Sequence, residues 1–265
     1  MKYAFMSFST PDLDLAGILA VAKRFGYDGI EPRLDAGQAH GIEAGLSPVR
    51  CEAMRGRADA AGIELACLAT SLRYADPAAE ETALAQTRER IELAGNLGVR
   101  RLRVFGGPIP QGIGREQAID QVVKCLQAVA AQAADRGVTL CLETHDDWCD
   151  PVHVATVMQR VNHPAIAVNW DIMHPVRTGK ATMAGAFQAL RPWIRHAHVH
   201  DGVGLNVKMV PIGTGEIDHR CALACLMEAG YDGFLSGEWI HWEPYEVHLP
   251  RELATLKRFE QNPNP

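Results

Sequence analysis

A closed (β/α)8 barrel in a single domain is the fold this sequence predicts, on three observations. Eight short aliphatic strands alternate with helical stretches, five helical stretches end on a glycine, and acids and imidazoles gather at strand ends. Strict strand-helix alternation gives a parallel sheet, and eight units in about 250 residues is the size at which such a sheet closes, with its chemistry at the C-terminal strand ends. A doubly wound open sheet is the alternative. Against it, no glycine-rich phosphate fingerprint follows the first strand, where a dinucleotide fold needs one.

The strands are read at 3–7, 29–33, 64–69, 102–105, 139–143, 165–171, 195–200 and 234–238. Gly26, Gly62, Gly98, Gly137 and Gly230 stand where a left-handed helix C-cap belongs, each followed by an aliphatic run. Ser47-Pro48, Asp76-Pro77 and Asp150-Pro151 each offer a capping side chain and then proline at the first helical position. Between such signals, Ile119, Val122, Leu126, Val129 and Ala133 recur at spacings of three and four, which lays one apolar stripe along a helix. The segment 106–112 follows the fourth strand, and its prolines make it a shaped loop rather than a phosphate cradle. The polar tail 260–265 is expected to fray.

Composition narrows the function. With 265 residues and 47% hydrophobic content the chain can bury a large core, and nothing in it reads as a linker to a second domain. A net charge of -6 leaves no basic stripe for binding a phosphate backbone. The seven cysteines are scattered with no Cys-x-x-Cys pair, which argues against a disulfide framework or a zinc ribbon and for a reducing compartment. Residues 1–8 carry no charged and apolar signal pattern, and no run approaches the roughly 18 apolar residues of a membrane span. A cytoplasmic enzyme of small molecules is the expectation.

The chemistry concentrates in Arg195-His196-Ala197-His198-Val199-His200-Asp201-Gly202. Alternation on a strand puts His196, His198 and His200 on one face and Ala197 and Val199 on the other, so the inner side of this strand is polar. Three further strands end in acids, namely Glu143, Asp171 and Glu238, and four strand ends then converge on one site.

Glu143, Asp171 with His174 three residues on, His198 in His-Val-His-Asp-Gly, the segment 211–218 (Pro-Ile-Gly-Thr-Gly-Glu-Ile-Asp) and Glu238 in Ser-Gly-Glu-Trp together resemble the xylose-isomerase-like TIM-barrel superfamily of sugar phosphate isomerases and epimerases. Inosose dehydratases and apurinic endonucleases share that fold. The repeated Gly-Tyr-Asp-Gly at 26–29 and 230–233 resembles its strand entries. The resemblance implies one divalent metal ion held by Glu143, Asp171, His198 and Glu238. Three carboxylates and an imidazole form a hard site that suits Mn²⁺ or Mg²⁺, with Co²⁺ or Zn²⁺ able to bind. As a residue of the barrel rim, His198 should be removable without loss of the fold.

By the same resemblance Glu143 and Glu238 are the catalytic pair, one removing a proton beside a carbonyl and the other returning one to the opposite face. His174 would hold a substrate oxygen. His145 shares a strand face with Glu143 and is read as a substrate contact, and His200 stands where many relatives have lysine. Lys208 could reach the substrate from its loop. Trp148, Trp170, Trp239 and Trp242 lie at or after strand ends, where a flat ring can stack on a sugar, and Trp239 is taken as the substrate contact. Glu31, Arg33 and Arg103 are read as an internal ion pair below the site, and His196 as packing.

The chain reads Glu143-Thr144-His145 where xylose isomerases proper have Glu-Pro-Lys, so their hydride-shift lysine is absent. Val207 and Met209 stand where apurinic endonucleases carry extra zinc ligands, and 202–206 lacks the arginine of some ketose epimerases. The expected activity is a metal-dependent epimerase or isomerase of a sugar, keto-sugar or inositol. A lyase of the inosose dehydratase type is the alternative, ahead of a non-catalytic sugar-binding subunit or an apurinic endonuclease. The expected partner is a small-molecule sugar or keto-sugar, with no nucleic acid and no membrane, and self-association into a homo-oligomer is left open.

Overall fold

The computed structural model describes residues 1–204 and 208–262. Its strands are β1 (Lys2–Met6), β2 (Gly29–Glu31), β3 (Glu64–Leu65), β4 (Leu68–Arg73), β5 (Arg101–Phe105), β6 (Thr139–Glu143), β7 (Ile166–Asp171), β8 (Ile194–Val199), β9 (Asp201–Val203), β10 (Lys208–Val210) and β11 (Phe234–Gly237). The helices are α1 (Leu15–Phe25), α2 (Pro48–Ala61), α3 (Glu80–Leu97), α4 (Arg115–Asp135), α5 (Pro151–Val161), α6 (His174–Arg177), α7 (Met183–Leu190), α8 (His219–Glu228) and α9 (Tyr245–Gln261). Nine strands form one parallel sheet in the order β3-β2-β1-β11-β8-β7-β6-β5-β4, and β9 and β10 make a separate antiparallel hairpin.

The two edges of the sheet belong to one stretch of chain. The expected third strand, 64–69, is divided at Ala66 and Cys67, so that β3 pairs with β2 while β4 pairs with β5. The Leu34 N–H donates to the Ala69 carbonyl at 2.8 Å and the Ala69 N–H to the Pro32 carbonyl at 3.0 Å, which closes the barrel between its edges. Pairing on both sides of the third strand forces the irregularity there, and the register shift between Ala69 and Arg73 records it.

Local signals place the helices as the sequence implies. Gly26, Gly62 and Gly98 take left-handed C-cap conformations with φ of 82°, 72° and 73°, a region that costs glycine little. The side chains of Ser47 and Asp150 accept the N–H groups of Arg50 and Val152 and cap α2 and α5. On α4, Ile119, Val122, Leu126, Val129 and Ala133 are all buried against the barrel. Among the described residues no helix is long and apolar enough to cross a membrane, and all seven cysteines are free.

The tail departs from expectation. Helix α9 runs through Gln261, and Glu260 is tied to the first strand: its Oε1 lies 3.0 Å from the N-terminal ammonium and its Oε2 accepts the Tyr3 hydroxyl at 2.6 Å. Long-range ion pairing offsets the polarity that suggested fraying, and residues 263–265 lie outside the described residues.

The long connection between β2 and α2 is pinned by His40, which is 2% exposed. Its Nδ1 accepts the Ile42 N–H at 3.0 Å and its Nε2 donates to the Arg33 carbonyl at 3.2 Å, a pattern that only the neutral ring satisfies. Burial lowers its pKa below the ordinary 6.5, and the Arg33 carbonyl opposes this only in part. The unfolded chain therefore takes up the proton first, and His40 contributes stability above about pH 6.5 that is lost as the pH falls through that value. Urea midpoints measured from pH 7.5 to 5 are expected to fall, with a shallower slope in His40→Gln. An equal slope in the variant would remove His40 from the account.

Candidate active site

Register brings the ligand candidates together. Asp171 on β7 lies beside His198 on β8, and Ser236 of β11 lies on the other side of His198, two residues before Glu238. Glu143 closes β6 next to Asn169 of β7. One ligating atom from each of Glu143, Asp171, His198 and Glu238 lies within 4.8 Å of all the others, and all four residues are buried. His198 Nδ1 is 3.1 Å from Glu143 Oε1 and 3.3 Å from Glu238 Oε2. Asp171 Oδ1 accepts the N–H groups of Met173 and His174, while its Oδ2 lies 2.9 Å from His200 Nε2 and 3.9 Å from His174 Nε2.

The donor set fits a divalent ion. The three buried carboxylates of Glu143, Asp171 and Glu238 crowd together, with Arg103 Nε 3.1 Å from Glu143 Oε2 and His200 Nε2 2.9 Å from Asp171 Oδ2, and such a concentration of buried negative charge favours a cation. The oxygen-rich set matches a hard metal.

Charge is held in the cluster by mutual pairing. Burial alone would raise the Asp171 and Glu238 carboxyls, but imidazoles reverse this: His174 and His200 hold Asp171 well below the usual range, and His198 and His200 do the same for Glu238. Burial would lower His198, and Glu31, Glu143 and Glu238 together raise it well above 6.5. Residue His198 is 0% exposed and sits inside the barrel rather than on its rim. The rim placement is thereby corrected, and removal of His198 would strand several carboxylates.

Beside this cluster lies a row of imidazoles. The rings of His145 and His174 are 4.5 Å apart and those of His174 and His200 are 5.6 Å apart, all edge to face. Burial would lower His145, yet the Asp146 carboxylate 2.9 Å away, with Glu143 behind it, pushes its pKa up to about 9. Asp146 was not anticipated; its φ of 49° in a non-glycine residue is a feature of the turn that aims the pair. His200 is brought to the site, where it touches Asp171.

Other expectations are corrected. Glu31 does not pair with Arg33. Its partners are His196 at 2.8 Å and His198 at 3.1 Å. Arg33 instead donates to Ser71 Oγ at 2.6 Å and to nearby carbonyls. Arg103 lies in the site itself, with Nε 3.1 Å from Glu143 Oε2 and a second nitrogen donating to the Thr70 carbonyl. The tryptophans expected to stack on substrate are packing: Trp148, Trp170 and Trp239 are at most 1% exposed. Trp239 covers Gly237, where a Cβ would come within 2.0 Å of the ring, and its ring packs 5.3 Å from that of His248. Trp148 donates to the Gly107 carbonyl at 2.8 Å and shapes the loop after β5. Lys208 stays exposed on β10, with no ion pair to the cluster among the described residues. Met209 is half-buried on the same strand, and Leu205, Asn206 and Val207 lie outside the described residues.

Comparison with known proteins agrees with this architecture. A curated 3-dehydroshikimate dehydratase of Bacillus anthracis is 24% identical over 183 residues, which is 62% of this chain and 64% of that protein, so the chain matches less than two thirds of that relative's length. Among solved structures, an L-ribulose 3-epimerase superposes with a TM-score of 0.81 at 18% identity, covering 99% of this chain and 95% of the other. The 3-keto-D-glucoside 4-epimerase YcjR of E. coli gives a TM-score of 0.79 at 16% identity, covering 97% and 99%. The family model described as xylose isomerase-like TIM barrel matches residues 19–259, and with the closed parallel barrel and its strand-end cluster this places the chain in the xylose isomerase-like TIM-barrel family.

Proposed function

We propose that the chain is a divalent-metal-dependent epimerase or isomerase of a sugar, keto-sugar or inositol that works by proton abstraction beside a carbonyl. The observation that carries this reading is the pair of buried glutamates, Glu143 and Glu238, which approach the same His198 nitrogen from two strands at 3.1 and 3.3 Å. Two such carboxylates can take a proton from one face of a substrate and return one to the other. A divalent ion bound by Glu143, Asp171, His198 and Glu238, Mn²⁺ or Mg²⁺ by the hardness of the donors, supplies positive charge against the charge that develops on substrate oxygens. Arg103 holds the Oε2 side of Glu143, and His174 and His200, packed edge to face beside the cluster, would be the imidazoles that meet substrate oxygens. Similarity to epimerases and to a dehydratase, each defined on its own substrate, supports the reaction family and leaves the substrate of this chain to experiment.

Turnover in D₂O is the test. A proton held on a carboxylate exchanges with solvent, so product is expected to carry deuterium at the reacting carbon. Label-free product would indicate a hydride shift and overturn the two-glutamate reading.

One observation favours a lyase as a second reading. The His145–Asp146 pair is a protonated acid beside Glu143, and it can serve a β-hydroxyl or β-glycosyl group leaving the same carbanion. A product lighter by water or by the aglycone, and absorbing as an enone, would select it.

A further inference from the structure

Glu31, on β2, is fully buried and stands outside the four-residue ligand set. Its Oε2 lies 2.8 Å from His196 Nε2, and His198 Nε2 lies 3.1 Å from Oε1 and 3.3 Å from Oε2. An ionised carboxylate only accepts, so each imidazole presents an N–H to it at Nε2. The other nitrogen of His198, Nδ1, faces Glu143 Oε1, Glu238 Oε2 and, at 3.2 Å, Asn169 Nδ2. From this geometry we infer that Glu31 is the positioning residue of the metal centre: by accepting the Nε2 proton it fixes the His198 ring and leaves Nδ1, turned toward Glu143 and Glu238, as the nitrogen that would give up its proton to a metal ion. The inference rests on the metal-centre reading above.

Two further features point the same way. Glu31, His196 and His198 are close enough to hold an ion themselves. That cluster is closed, because both Glu31 oxygens already receive imidazole N–H groups, whereas the upper cluster gathers three carboxylates around the one imidazole of His198. The demand for a cation lies in the upper cluster, and the lower one orients it. His196 steadies Glu31 through its own N–H, and its ring meets His198 edge to face at 5.4 Å. A carboxylate on the far nitrogen of a ligating imidazole sets the tautomer and makes the near nitrogen a better donor.

Glu31→Gln keeps the shape and replaces one acceptor oxygen by an NH₂ that opposes the His198 Nε2–H. Mn²⁺ affinity, read as free ion by electron paramagnetic resonance, is expected to fall about 10- to 100-fold. Tyr74→Phe, equally buried but with its hydroxyl on Thr87 and away from the cluster, is expected to leave that affinity close to wild type, so that general loosening of the interior is separated from a loss that travels through His198. A measurement on the wild type needs no variant to fold. In Zn²⁺-loaded protein labelled with ¹⁵N-histidine, His198 should keep a slowly exchanging proton on Nε2. Metal on Nε2, or wild-type Mn²⁺ affinity in Glu31→Gln, overturns the role of Glu31. A wild type that takes up no divalent ion overturns instead the metal centre on which that role depends.

Discussion

Glu238→Gln, assayed with metal confirmed in place, is expected to lose about 10²- to 10⁴-fold in turnover, the range that general acid-base groups contribute. The amide is nearly isosteric and can neither take nor return a proton. Glu238 is 7% exposed, so it is buried but within reach of an entering substrate, and His198 and His200 keep it ionised against burial. Glu143→Gln should give a loss of similar size and also weaken the contact with Arg103, whose guanidinium is 1% exposed and would lose its carboxylate. Rate measurements per bound metal, with ion content read by mass spectrometry, separate chemistry from ligation. Near-wild-type turnover in Glu238→Gln would leave Glu143 as a single base and exclude a two-base epimerase.

His198→Ala is expected to abolish stoichiometric metal binding and to destabilise the protein by about 3–5 kcal/mol, the cost of stranding buried charges whose partner is removed. Four groups meet this one imidazole: Glu31, Glu143, Glu238 and the Asn169 amide. Removal leaves the carboxylates close together without the intervening cation. A urea midpoint for the apo variant well below that of the apo wild type checks the second part, and ion content checks the first. Unchanged metal stoichiometry in a folded variant would dismiss His198 as a ligand.

Several features were readable before any coordinates because their cause is local. The alternating imidazoles at 196, 198 and 200 lie on one face because a strand's period is two, and each finds a carboxylate there: Glu31 for His196 and His198, and Asp171 for His200. Glycines at 26, 62 and 98 mark helix ends because their left-handed backbone favours the residue without a Cβ. The acids at 143, 171 and 238 meet because a closed parallel barrel brings all strand ends to one rim. Glu31 and Arg103 were visible as inward charges, but which charge meets which depends on register around the barrel and not on spacing along the chain. Trp239 shows the same limit from the other side. Its place after a strand end suggested a stacking platform, whereas the bare Cα of Gly237 and the ring of His248 supply its packing.

The sequence by itself determined the barrel and the helix ends marked by caps, since hydrophobic period and capping chemistry are properties of short segments, and the resemblance it carries singled out the four residues that the structure brings together. Tertiary structure alone decided the pairings within the site. The division at Ala66 and Cys67, the turn that sets Asp146 against His145, the reach of Arg103 to Glu143 and the seat of Glu31 under His198 each join strands or turns through barrel closure. In a buried interior of low polarity every charge must find a partner, and which partner it finds is fixed by shape.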